Sequence, residues 1–135
     1  MIGILIITHE RIGDAYSSLS QHFFHDTPHN VKILGVKDHQ GHEEIIALTQ
    51  SLSHDLDSGY GVLVITDIFG ATPCNAARQL VTEGKVAMLT GLNAPMMVKA
   101  IQDAASATDL KVFTQAVKTA AINGILDITT PPNEC

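Results

Sequence analysis

The chain has 135 residues, 45% of them hydrophobic, 4% aromatic and 16% charged, with no Trp and a formal net charge of −6. This length suits one domain with its own core, and an acidic balance without any Lys/Arg cluster excludes nucleic acid and an anionic membrane surface as partners. Two cysteines, Cys74 and Cys135, give no disulfide framework; the apolar start lacks the basic flank of a signal peptide and no stretch approaches the ~20 apolar residues of a membrane span, so a cytoplasmic protein is expected.

Ile2-Gly3-Ile4-Leu5-Ile6-Ile7 is a β-branched apolar run, the pattern of a strand buried on both faces, and Thr8-His9 stands at its end. Ile12, Ala15, Tyr16, Leu19 and Phe23 recur at helical spacing and predict an amphipathic helix ending near Phe24. After a polar, proline-bearing turn, Val31 to Val36 predicts a second strand. Beyond the loop from Lys37 to His42, the residues Ile45, Leu48, Leu52 and Leu56 mark a second helix, closed by Ser58-Gly59. Gly61 to Thr66 is the third strand. It runs into Asp67-Ile68-Phe69-Gly70-Ala71-Thr72-Pro73-Cys74-Asn75: a carboxylate at a strand tip, a glycine turn, then a helix start with Thr72 as N-cap and Pro73 at the first helical position. Cys74 reads as a small packing residue.

Ala76, Ala77, Leu80 and Val81 give a short third helix, stopped by Glu83-Gly84, and Lys85 to Thr90 is the fourth strand. Gly91-Leu92-Asn93-Ala94-Pro95-Met96 turns into a fourth helix with Met97, Ala100, Ile101 and Ala104 inward. Asp109 caps a fifth with Phe113, Ala116, Val117 and Ala120 on one side, ended by Asn123-Gly124. Ile125 to Thr129 is a candidate last strand. Residues 1–130 form one domain, and 131–135 a frayed tail.

Strands alternating with helices call for an α/β fold: one doubly wound, mostly parallel sheet with helices on both faces, because parallel neighbours need right-handed crossovers. In the flavodoxin-like order 2-1-3-4 the winding reverses between strands 1 and 3, so His9 and Asp67 flank one crevice. A carboxylate that accepts one ring proton leaves the other imidazole nitrogen free as base or nucleophile. The amides of Gly70, Ala71 and Thr72, ahead of a helix, favour an anion. A nucleophilic nitrogen beside an anion hole suggests phosphoryl transfer. No G-x-G-x-x-G or G-x-x-x-x-G-K-[ST] follows any strand, which disfavours nucleotides. His22, His25, His29, His39 and His42 read as solvated, so no metal and no cofactor is expected.

With Thr8-His9, Asp67-x-Phe69-Gly70-Ala71-Thr72-Pro73-x-Asn75-Ala76-Ala77 and Gly91-Leu92-Asn93-Ala94-Pro95-Met96 in this order, the chain resembles, over nearly its full length, the enzyme IIA domain of the mannose-type (mannose/fructose/sorbose) sugar phosphotransferase system. The resemblance implies a phosphotransferase in which His9 is phosphorylated on Nε2 by the phosphocarrier HPr, itself charged from phosphoenolpyruvate through enzyme I. Asp67 is then the carboxylate that orients the ring, and Thr72 with the loop amides holds the phosphate. It also implies a homodimer in which a C-terminal antiparallel strand, here Ile125 to Thr129, is exchanged. Where some members carry Trp-Gly-Gly-Ser, this chain has Phe69-Gly70-Ala71-Thr72, whose Ala71 restricts the loop and leaves its amides. With no IIB domain attached, the phosphoryl acceptor is expected to be a separate IIB protein, any membrane permease being touched only peripherally. Phe69 and Met96 are expected to lie exposed around His9 and dock HPr. Two alternatives remain: a regulatory IIA module whose His9 state controls a partner, and a non-catalytic small-anion-binding domain. A phosphodonor subunit of a dihydroxyacetone kinase fits the Gly70-Ala71-Thr72 loop less well.

Overall fold

The predicted alternation is realised in a four-stranded parallel sheet, described with its helices in a computed structural model for residues 1–68, 75 and 77–131. The elements are β1 (Gly3–His9), α1 (Glu10–Phe24), β2 (Val31–Val36), α2 (His42–Leu56), β3 (Val62–Thr66), β4 (Val86–Leu89), α3 (Ala94–Ala104) and α4 (Leu110–Asn123). The strand order is β2-β1-β3-β4 and every neighbouring pair is parallel. This is the doubly wound order expected, with its reversal between β1 and β3. No helix among the described residues is long and apolar enough to cross a membrane.

Side chains alternate across a strand, and both faces of the central strands are apolar. Ile2, Ile4 and Ile6 with Leu63 and Ile65 point to one side, against α3, α4 and the partly buried Tyr16, Leu19 and Phe24 of α1. Leu5, Ile7, Val62 and Val64 point to the other, against Ile45 and Leu56 of α2 and against Ala77. Each such fully buried side chain contributes about 1.5–3 kcal/mol, so β1 and β3 are the fixed frame on which their own ends are held.

Three helix faces differ from the predicted stripes. On α1 the buried residues are Gly13 and Ser20, while Ile12 and Phe23 are exposed. The helix lies closest to the sheet along Gly13, where a Cβ would sit 2.8 Å from Thr8 Oγ1, and this turns the stripe by part of a helical turn. On α2, Leu48 is exposed and Thr49 is buried, its hydroxyl satisfied by donating to the Ile45 carbonyl. On α4, Ala116 is exposed and the inward row is Phe113, Val117 and Ala121. In α3, Met97, Ala100, Ile101 and Ala104 are all buried, as read. Asn75, Ala77 and Arg78 are helical; Ala77 is buried and Val81 is half-exposed, while Thr72, Pro73, Cys74 and Ala76 lie outside the described residues.

Ile125 to Thr129 forms no strand within the chain, and Ile125, Leu126 and Ile128 are 74%, 74% and 76% exposed. At the other side of the sheet, Gly35 of β2 lets the first turn of α1 settle onto the strand: a Cβ there would lie 2.8 Å from the Glu10 carbonyl oxygen and 3.2 Å from its Cα. Both are backbone atoms and cannot swing away. Gly35→Ala is therefore expected to lower stability by about 1–3 kcal/mol, the usual range for overpacking. Gly41→Ala, where nothing lies within 4 Å, should change it by less than about 1 kcal/mol. Urea unfolding of the two variants compares them, and equal midpoints would show that α1 is not held at this contact.

Candidate functional site

Parallel pairing brings the C-terminal tips of β1 and β3 to one edge of the sheet. Ile7 is in register with Thr66, the last residue of β3, so His9 and Asp67 emerge side by side although 58 positions apart. His9 is also the N-cap of α1, with extended backbone (φ −62°, ψ 149°) and no side-chain cap bond. Its ring is thus not used by the helix that it starts.

The ring is used by Asp67. Oδ2 of Asp67 accepts a hydrogen bond from the His9 backbone N–H at 3.0 Å and contacts His9 Nδ1 at 2.7 Å; Oδ1 accepts from the Ile68 N–H at 2.9 Å. An ionised carboxylate can only accept, so the ring proton sits on Nδ1 and the Nε2 lone pair is free. Burial is divided between the two: the Asp67 side chain is 6% exposed and that of His9 47%. Burial alone would push the Asp67 carboxyl up. The hydrogen bond from the His9 ring, those from the His9 and Ile68 amides, and the nearby ring charge outweigh it and hold the carboxyl below its ordinary value. The arrangement presents a half-exposed, tautomerically fixed imidazole, suited to nucleophilic attack or to proton transfer.

Of the other residues read from the sequence, Phe69, Gly70, Ala71 and Thr72 lie outside the described residues. Met96 is a correction. Expected exposed beside His9, it is only 3% exposed, because it is the third residue of α3 on the face turned to the core. It is too buried to form an exposed docking contact beside His9. Among the described residues, no three of His, Cys, Asp and Glu converge as a metal would need.

The Asn93 turn joins two helix ends beside the site. Asn93 Oδ1 accepts from the Met96 N–H at 2.9 Å and caps α3, while Nδ2 donates to the Ala121 carbonyl at 3.0 Å. The neighbouring Leu92 N–H donates to the Thr66 carbonyl at 3.0 Å, directly before Asp67. An Asn three residues before an exposed-looking Met was the available signal for the cap; nothing in the sequence pointed to Ala121.

Residues 3–118 match the EIIA-man family, described as the fructose IIA component of the phosphotransferase system. The fold is similar to phosphotransferase system component EIIA from Streptococcus agalactiae, at 26% identity and a TM-score of 0.78, with 94% of this chain and 97% of that one covered. It is similar to the IIA protein associated with the fucose utilization operon of Streptococcus pneumoniae, at 27% identity and TM-score 0.73, covering 93% and 91%. The mannose/sorbose specific IIA subunit from Enterococcus faecalis shares the fold at 17% identity and TM-score 0.82, over 98% of each chain.

The electrostatics of the pair are open to titration. The Asp67 carboxyl followed by carbon-13 NMR should have its midpoint below 3.8, the ordinary aspartate value, and His9→Ala should raise that midpoint by removing the ring hydrogen bond. Because the folded value is the lower one, the stability that Asp67 contributes is present above the unfolded value and lost as pH falls through the folded one. A midpoint at or above 3.8 in the unmodified protein would contradict the hydrogen-bonded geometry.

Proposed function

The chain belongs to the EIIA-man family of phosphotransferase-system IIA components, and from that premise we propose that it is a cytoplasmic phosphohistidine carrier, accepting a phosphoryl group from phospho-HPr on His9 and passing it to a separate IIB protein. The observation that carries this reading is the His9–Asp67 pair, in which the Nδ1 proton is committed to a buried carboxylate and Nε2 is left free on an exposed rim. A small-molecule enzyme buries its substrate in a concave site. A group handed from protein to protein instead needs a nucleophile that two partners can reach.

In the proposed step the Nε2 lone pair attacks phosphorus in line. The Nε2–P bond forms as the bond from phosphorus to the donor's leaving atom breaks, and that atom keeps the electron pair. The Nδ1 proton stays on the ring, and Asp67 stabilises the positive charge that develops there. Gly70, Ala71 and Thr72 are assigned the phosphoryl oxygens, since main-chain amides ahead of a helix start favour anions. Phe69, with the half-exposed Ile68 next to Asp67, is assigned the contact with HPr. Transfer to IIB reverses these bond changes.

The same reading includes a homodimer. Ile125, Leu126 and Ile128 stand exposed beyond α4, and β4 is an edge strand. Beside it lies a cavity of about 390 Å³ whose lining includes Met88, Leu89, Met96, Ile122 and Ile125. A segment from a second copy laid along β4 beyond Val86, whose outer edge is bonded to Thr82, would cover both a strand edge and apolar side chains.

Incubation with enzyme I, HPr and radiolabelled phosphoenolpyruvate should give acid-labile, base-stable label on the unmodified protein and none on His9→Ala. Label that persists in the variant would move the site elsewhere. Asp67→Asn, folded but without a charged acceptor, should transfer at least about tenfold more slowly. For the assembly, sedimentation should give a dimer for the unmodified chain and a monomer for Leu126→Glu/Ile128→Glu; a monomeric unmodified chain would end the proposal of exchange.

A further inference from the structure

The His9–Asp67 pair depends on an oxygen that must meet two donors at once, at 2.7 and 3.0 Å. His9 is paired with Val36 of β2, while the β1–β3 ladder ends two residues earlier, at Ile7 with Thr66. Asp67 is one residue beyond the last β3 residue. The ladder with β1 reaches Thr66, but β3 and β4 pair only as far as Ile65 with Leu89, so contacts outside the ladder have to hold the β4 side of the Thr66–Asp67 peptide.

The described contacts that do so come from the turn after β4. The Leu92 N–H donates to the Thr66 carbonyl at 3.0 Å, which sets the plane of the peptide leading into Asp67. Leu92 is in turn held by its neighbour Asn93, whose side-chain amide uses both ends: Oδ1 on the first turn of α3 and Nδ2 on Ala121 near the end of α4. A second contact joins the same two helices, for Gly124 lies so close to Pro95 that an added Cβ would come within 2.4 Å of the proline ring. The turn is thus bolted to two helix ends, both packed in the same core, and the Leu92 amide reaches out from it to the β3 tip.

From these contacts we infer that Asn93 is a positioning residue: by tying the α3 start to the α4 end, it holds the Leu92 amide on Thr66 and so keeps the Asp67 carboxylate where it can orient His9. An N-cap alone would need only the acceptor oxygen, which Ser, Thr or Asp supplies as well. Asn is distinguished by the donor that it sends to Ala121. The bond to Ala121 is therefore the feature that a purely local capping role does not explain. The inference takes the role of His9 from the reading above, but its first readout does not involve phosphoryl transfer.

The test separates the two ends of the amide. Asn93→Asp and Asn93→Ser both keep an acceptor for the Met96 N–H and lose the donor to Ala121. Both should remain folded by circular dichroism. Both should also show faster exchange of the His9 Nδ1 proton by nitrogen-15 NMR, and an Asp67 titration midpoint raised toward the ordinary value. If the protein accepts phosphoryl groups from HPr, kcat should fall about tenfold or more in both with KM for HPr unchanged, in line with the sensitivity of such steps to small misplacement. A melting temperature lowered while the His9 ring signals and the Asp67 midpoint stay as in the unmodified protein would overturn the inference and leave Asn93 a structural clamp. Failure of the labelling experiment alone would leave the NMR comparison to decide.

Discussion

One oxygen atom, Oδ2 of Asp67, accepts from both the backbone and the ring of the same histidine. That double acceptance is the constraint to which the rest of the molecule answers. The backbone bond fixes where the β1 tip lies relative to β3; the ring bond fixes which nitrogen carries the proton. Neither would hold if the strands could slip, because a one-residue change of register would carry His9 to the opposite face and away from the carboxylate. The buried Ile, Leu and Val rows on both faces of β1 and β3 make such a slip prohibitive, so core packing and site geometry are one requirement.

Much of this was legible in the sequence because its strands are unusually plain. Continuous β-branched runs ending in Thr-His and Thr-Asp identify interior parallel strands and their tips, and the parallel order follows from the alternation with helices. The pairing of His9 with Asp67 followed from topology rather than from any local motif. The helix faces were less legible. A stripe of large apolar residues such as Ile12 and Phe23 is a guide only where a helix meets the sheet through large side chains; α1 meets it through Gly13, a residue that carries no hydrophobic signal. Met96 was misread for a related reason. Next to a proline turn it looks like loop, yet the Asn93 cap starts α3 early enough to turn Met96 into the core.

The two ends of the sheet's exposed chemistry are kept apart. The His9 rim opens at the switch between β1 and β3, whereas the apolar cavity lies along the outer edge of β4. The residues between them are those of the turn after β4: Leu92 touches the β3 tip, and Asn93 touches the end of α4 from which the exposed Ile125, Leu126 and Ile128 follow. The surfaces that the proposed function assigns to a second copy and to a phosphoryl donor would therefore share this turn as a brace.

The unequal burial of the pair follows from what each group must do. A carboxylate removed from water is strongly disfavoured unless its oxygens are given donors; among the described residues Asp67 has three, the two from His9 and the one from Ile68. Those bonds outweigh the cost of burial and favour its ionised form. The ring has the opposite need. In the proposed function its free nitrogen would be reached from outside and released again, and burying it would add the work of desolvating the incoming phosphoryl group. A fixed, sheltered carboxylate behind a half-exposed ring meets both conditions, and the sheet provides it by ending β1 at the rim and β3 behind it.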